Sequence, residues 1–129
     1  MYKWIILFLF PLTAVAQTWT WGIKGTGTHQ PAGDMEIAVF NDGSSVVAGY
    51  FQETLQLGDF VLHTDDDYYS DHFLARISRE GKVLWAKQME TGSTYNNQLG
   101  LAIDDDRNIY LTGARSGYIF AAKFDSLGN

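Results

Sequence analysis

The sequence predicts an all-β protein assembled from a repeated unit of short antiparallel strands. Three observations predict it. Aromatic residues make up 15% of the chain and glycines number 13 against only 2 prolines, a mixture that suits short strands joined by tight turns. Apolar residues alternate with period two in several runs, as half-buried strands require. The chain also matches itself when slid by 64 or by 47 residues.

The first element is a leader. Lys3 gives a positive amino-terminal region, Trp4–Phe10 runs apolar without a break, and Ala14-Val15-Ala16 is a small-x-small site. This is the layout of a secretory signal peptide over residues 1–16, cleaved between Ala16 and Gln17. A membrane span needs about 20 apolar residues, far more than this run holds, so no transmembrane segment is expected after cleavage. The expected mature chain, residues 17–129, has 113 residues, enough for one small domain. Lys3 leaves with the leader, so its net charge is −7, from eight basic and fifteen acidic side chains. Such a surface repels phosphate backbones and argues against a nucleic-acid partner. There is no cysteine. Export therefore brings no disulfide framework, and thiolate zinc sites and cysteine nucleophiles are excluded.

The repeat organises the rest. A shift of 64 places Trp21 on Trp85, Ala38 on Ala102, Asp42 on Asp106 and Gly49 on Gly113. A shift of 47 places Phe73 on Phe120, Ala75 on Ala122 and Gly81 on Gly128. The difference of 17 residues is an insertion in the first copy, between Gln52 and Asp71. Each copy reads as four strands. Met35–Phe40 and Leu99–Asp104 come first, with Met35, Ile37 and Val39, or Leu99, Leu101 and Ile103, sharing a face. Polar turns, Asn41–Ser44 and Asp105–Asn108, close hairpins onto Ser45–Phe51 and Ile109–Arg115. The third strands are His72–Ile77 and Tyr118–Phe124. Ser78–Gly81 then turns into a fourth strand, Lys82–Gln88, which carries Trp85. Residues 17–34 hold the counterpart of that fourth strand, expected over Thr18–Lys24 with Trp21, followed by a loop.

A four-stranded unit of this length with a Trp on one strand has the size of a propeller blade. The fold expected is a partial β-propeller of four-stranded antiparallel blades, with blade 1 over residues 35–88 and an incomplete blade 2 over 99–129. A small β-sandwich is the alternative. Phe120–Asn129, Val83–Gln88 and Ala102–Gly113 resemble the bacterial SBBP-type β-propeller repeat. In that family a strand ending in Ala-Lys-aromatic-Asp passes through a Gly-Asn turn into a strand with Trp-Ala-Lys. The first copy departs from the pattern at Arg76-Ile77-Ser78. The resemblance spans residues 18–129. It implies a propeller module of a secreted or cell-surface protein, with no activity attached to the repeat itself. Propellers use 4–8 blades, so the chain reads as a fragment, and missing blades or self-association are needed to complete the fold.

The residues with chemical potential are few. Asp65, Asp67, Tyr68 and Tyr69 lie in the insertion, near His63, Asp71 and His72. They are the ligand-loop candidates, for a hard cation or a sugar, with carboxylate ligands and a tyrosine platform. Adjacent acids on an extended chain cannot all face one ion, so a solvated loop is the expectation. Asp104–Asn108 imitates a calcium-loop opening but has Ile109 and Arg115 where glycine and glutamate are needed. Gly25-Thr26-Gly27 lacks the Gly-Lys-Ser/Thr ending of a phosphate loop. No histidine adjoins a serine in a nucleophile setting. The expected protein is thus a non-enzymatic binding or scaffold module, secreted or at the cell surface. It has no catalytic residue, metal or cofactor, and its ligand is a protein or glycan. The alternative is part of an exported propeller hydrolase or lyase whose active site lies in other blades.

Overall fold

A computed structural model describes residues 20–27, 35–65, 68–93, 99–115 and 118–129. Ala16, Gln17 and the whole leader lie outside the described residues. The protein is all-β, with ten strands and no helix among the described residues. The strands are β1 (Gly25–Gly27), β2 (Glu36–Val39), β3 (Ser45–Gln52), β4 (Thr54–Leu57), β5 (Phe60–His63), β6 (Ser70–Ile77), β7 (Val83–Ser93), β8 (Leu99–Ile103), β9 (Ile109–Arg115) and β10 (Tyr118–Phe124). They form three open antiparallel sheets, ordered β2-β3-β6-β7, β10-β9-β8 and β1-β4-β5.

The same turn recurs four times. The amide of one residue donates to the carbonyl four positions on, and the amide of the fourth residue donates back to the first. This holds for Phe40–Ser44, Ser78–Lys82, Asp104–Asn108 and Asp125–Asn129. The fourth residue has positive φ each time: Gly43, Gly81, Arg107 and Gly128. This is the three-residue hairpin loop that ends in a left-handed bulge. Short polar side chains hold it, because they accept the inner amides that the tight loop leaves unpaired. Asp104 accepts from the Asn108 amide at 2.8 Å, and Asp125 from the Leu127 and Asn129 amides at 2.8 and 2.9 Å. In the first turn Phe40 holds the opening position, and Asp42, two residues later, accepts from the Ser44 amide at 2.9 Å.

The first sheet has its strand β6 covered on both faces and buried along nearly the strand's whole length. On its front, Phe40, Val46, Ala48 and Leu74 meet Ile109 and Leu111 of the second sheet, rimmed by Trp85, Met89, Leu101, Phe120 and Phe124. On its back, Phe51, Phe73 and Ala75 meet Leu55 of the third sheet.

That third sheet changes two expectations. The insertion between Gln52 and Asp71 is more than a loop: Thr54–Leu57 and Phe60–His63 pair as a hairpin around Gly58-Asp59. Its apolar alternation needs a surface, and it finds one on the back of β6 and β7. The strand expected over Thr18–Lys24 is displaced. Residues 20–24 carry no strand, and Gly25–Gly27 pairs instead with Leu55–Leu57 of the inserted hairpin. The fourth strand also runs beyond Gln88, to Ser93, because β6 offers it a partner back to Ser70.

Candidate functional site

Two surfaces stand out, a closed seam and an open face built from the same residue pattern. The seam joins the first two sheets. Trp85 on β7 donates its indole Nε1–H to the carbonyl of Ser126 at 3.4 Å, and its ring lies against Gly128, where a Cβ would come within 3.2 Å. Trp21 does the same one unit earlier. Its Nε1–H donates to the carbonyl of Arg79 at 2.9 Å, and a Cβ on Gly81 would meet its ring at 2.8 Å. Trp21 and Trp85 are the pair matched at a shift of 64, while Arg79 and Ser126, like Gly81 and Gly128, match at 47. Sequence self-similarity thus corresponds to one recurring contact: a tryptophan set onto the third-to-fourth-strand turn of the next sheet.

Arg76 is the polar hub of the seam. It projects from the front of β6, is buried, and donates through Nη1 to the Ser126 carbonyl at 2.6 Å and through Nη2 to Ser44 Oγ at 3.1 Å. Its guanidinium lies 4.5 Å from the centre of the Phe40 ring, with Arg107 at 5.4 Å from the same ring. Asp42 Oδ2 takes Arg107 at 2.5 Å and Arg76 at 3.5 Å. The hydroxyl and amide of Ser44, with Arg107 behind them, hold the Asp42 carboxyl down at about 2. Burial lowers the Arg76 pKa, and the neighbouring Arg107 adds to the fall. An adjacent cleft of about 320 Å³ lies between the two first-hairpin turns, lined by Phe40, Asp42, Asp104, Asp105 and Arg107. In it Asp42 pairs with Arg107, and Asp104 accepts from Asn108 and Tyr110. In the sequence, Arg76 stands out only as a charged residue inside the apolar run Phe73–Ile77.

The open face is the back of β2. Met35, Ile37 and Val39 share it as expected, and all three are exposed, Ile37 at 62%. Met35 and Ile37 also line an apolar groove of about 360 Å³ on this side of the sheet, together with Trp21, Ile23, Leu55, Leu57, Val47 and Ile77. The second sheet has its own uncovered side, carrying Ala102, Tyr110, Thr112, Ile119, Ala121 and Lys123. Lys123 Nζ lies 5.4 Å from the centre of the Tyr110 ring.

Of the ligand-loop candidates, Asp65 and Tyr69 are exposed, Tyr68 is 85% exposed, and Asp67 lies outside the described residues. Among the described residues no group of three or more histidine, aspartate or glutamate side chains is placed to hold a metal ion. Asp104 spends its oxygens on Asn108 and on the Tyr110 hydroxyl at 2.9 Å, which is turn capping. His63 Nδ1 faces Thr54 Oγ1 at 3.0 Å across the inserted hairpin. His72 is fully buried on the front of β6, 5.6 Å from the Phe120 ring, and burial lowers its pKa against the opposing pull of Asp71. No family model, no curated protein and no solved structure matches the chain.

Proposed function

We propose that this chain is a non-enzymatic repeat module of a secreted or cell-surface β-propeller, serving as a scaffold or binding surface for a protein or glycan. The observation that carries this reading is the recurring tryptophan contact: Trp21 on the Arg79 carbonyl and Trp85 on the Ser126 carbonyl. A repeated contact between successive sheets is what a propeller or other repeat array needs, because each unit buries its face on its neighbour. The sense of stacking supports the same reading over a two-sheet sandwich. The side of the second sheet that carries Leu99, Leu101 and Ile103 lies on the opposite side of the first sheet from Met35, Ile37 and Val39. Equivalent stripes therefore point the same way, as in a stack, whereas a sandwich turns both inner faces toward each other.

Export is the half of this reading that one experiment decides. Amino-terminal sequencing of the protein expressed from Met1 should find Gln17 first in the exported fraction. Recovery of intact Met1 in the membrane fraction would overturn it.

A further inference from the structure

We infer that the stripe Met35/Ile37/Val39 is a docking face for a second copy of this chain, whose open second sheet sits on it head to tail. The inference rests on the repeat-module reading above and adds the partner.

The stripe has a covered twin. Met35, Ile37 and Val39 correspond at a shift of 64 to Leu99, Leu101 and Ile103. Those three lie at the rim of the main core, on the front of the first sheet. There β8 lies against β2, whose side chains on that front are Glu36 and the small Ala38. The counterparts of Glu36 and Ala38 are Gly100 and Ala102, on the open side of the second sheet. The β2–β8 rim of the seam is therefore displayed a second time uncovered, with large apolar side chains on β2 and small ones on β8, while the inserted hairpin takes the backs of β3 and β6. The β2 and β8 surfaces sit on different sheets of one chain, so a single copy supplies both sides of the contact only to its neighbours. The inserted hairpin leaves this possible, because its buried contacts are with Val47, Phe51, Phe73 and Ala75 on β3 and β6 and with Ala86 on β7, while Met35, Ile37 and Val39 stay more than half exposed.

The polar part of the seam is repeated as well. The Ser126 carbonyl accepts from both Trp85 and Arg76, whereas among the described residues Trp21 is the only side chain donating to the matching Arg79 carbonyl. The counterpart of Arg76 is Lys123, exposed on the open side of the second sheet. In a head-to-tail pair, Lys123 of one copy stands where it can donate to the Arg79 carbonyl of the next. A contact of this kind uses two different surfaces, so it closes into a ring or continues as a filament.

Sedimentation velocity of the full chain expressed from Met1, with two variants and their mixture, tests this. The wild type should sediment as species larger than a monomer, in proportions that rise with concentration. Ile37→Glu blocks one surface and Ala102→Glu the other. Each alone should weaken association about tenfold or more, since a charge is forced into an apolar contact. An equimolar mixture should recover a discrete dimer, because each variant keeps the surface the other has lost. Both positions are exposed, and circular dichroism checks that the variants fold; Val39→Glu and Lys123→Glu repeat the two arms should either fail. A wild type that stays monomeric at all concentrations overturns the inference and leaves the module reading standing. Association lost in Ile37→Glu but intact in Ala102→Glu, with no recovery on mixing, means that the stripe pairs with itself. That outcome overturns the inference together with the repeat equivalence beneath the module reading.

Discussion

Leu99, Leu101 and Ile103 on one sheet, and Met35, Ile37 and Val39 on another, are the same pattern in the same strand of a repeated unit. The first set rims the core and the second faces solvent. Alternation determines which side chains share a face, because successive residues of a strand point to opposite sides. Whether that face is buried depends on a neighbour, and the neighbour here is the next sheet. The two regions thus separate what is local, the strand and its turn, from what is a property of stacking.

The largest expected effect tests that separation directly. Leu111 is fully buried between the sheets, so Leu111→Ala should lower the free energy of unfolding by about 2–5 kcal/mol, as buried Leu→Ala truncations do. Ile37→Ala, an equally apolar truncation on the exposed stripe, should change it by no more than about 0.5 kcal/mol in dilute solution. Urea denaturation at low protein concentration measures both. Equal losses would mean that the stripe is covered within a single copy, and the comparison would collapse.

A smaller effect comes from His72, whose counterpart in the second unit is Ile119. His72 is buried against Phe120, while Ile119 is 91% exposed. Burial places the folded-state pKa of His72 below its ordinary 6.5. Between those two values the unfolded chain binds a proton that the folded chain does not, so stability rises with pH there. The contribution of His72 is complete above about pH 6.5 and is lost as pH falls through the lowered value. Asp42, Asp104 and Asp125 also have lowered pKa values, but their contribution stays intact until pH falls below the ordinary carboxylate value of 3.8. Of these four groups, only His72 changes its contribution between pH 7.5 and 5. The melting temperature should fall as pH drops across that range, the direction that burial of neutral His72 sets. In His72→Leu the slope should flatten. An unchanged slope in that variant would assign the pH dependence elsewhere.

The local half of the fold was legible. The hairpins around Asn41–Ser44 and Asp105–Asn108 and the turn at Ser78–Gly81 lie where alternation and polar turn residues put them, because these signals act within a few residues. The placement of Trp21 was half legible. Its match to Trp85 pointed to a recurring role, and the structure gives both the same indole-to-carbonyl bond. Its strand was misplaced by a few residues, because Gly25–Gly27 pairs with an inserted hairpin whose position depends on tertiary packing. Arg76 was missed as a hub for the same reason: its partners, Ser44 and Ser126, lie 32 and 50 residues away.

The smallest expected effect concerns Asp65, Tyr68 and Tyr69, which follow the inserted hairpin and have no counterpart in the second unit. A specific ion that binds the native state raises its melting temperature through mass action. Such binding needs several oxygen ligands, six to eight for calcium, held together before the ion arrives. Asp65 is exposed, while Asp42, Asp104 and Asp125 are committed to capping their turns. Melting curves with chelator and with millimolar calcium should therefore agree within about 2 °C. Asp65→Asn should shift stability by no more than about 0.5 kcal/mol, the usual range for a surface change that breaks no cap or buried bond. A calcium-dependent rise that vanishes in Asp65→Asn would show that the insertion carries a site of its own, and that the first unit differs from the second in ligand chemistry as well as in the covering of its back face.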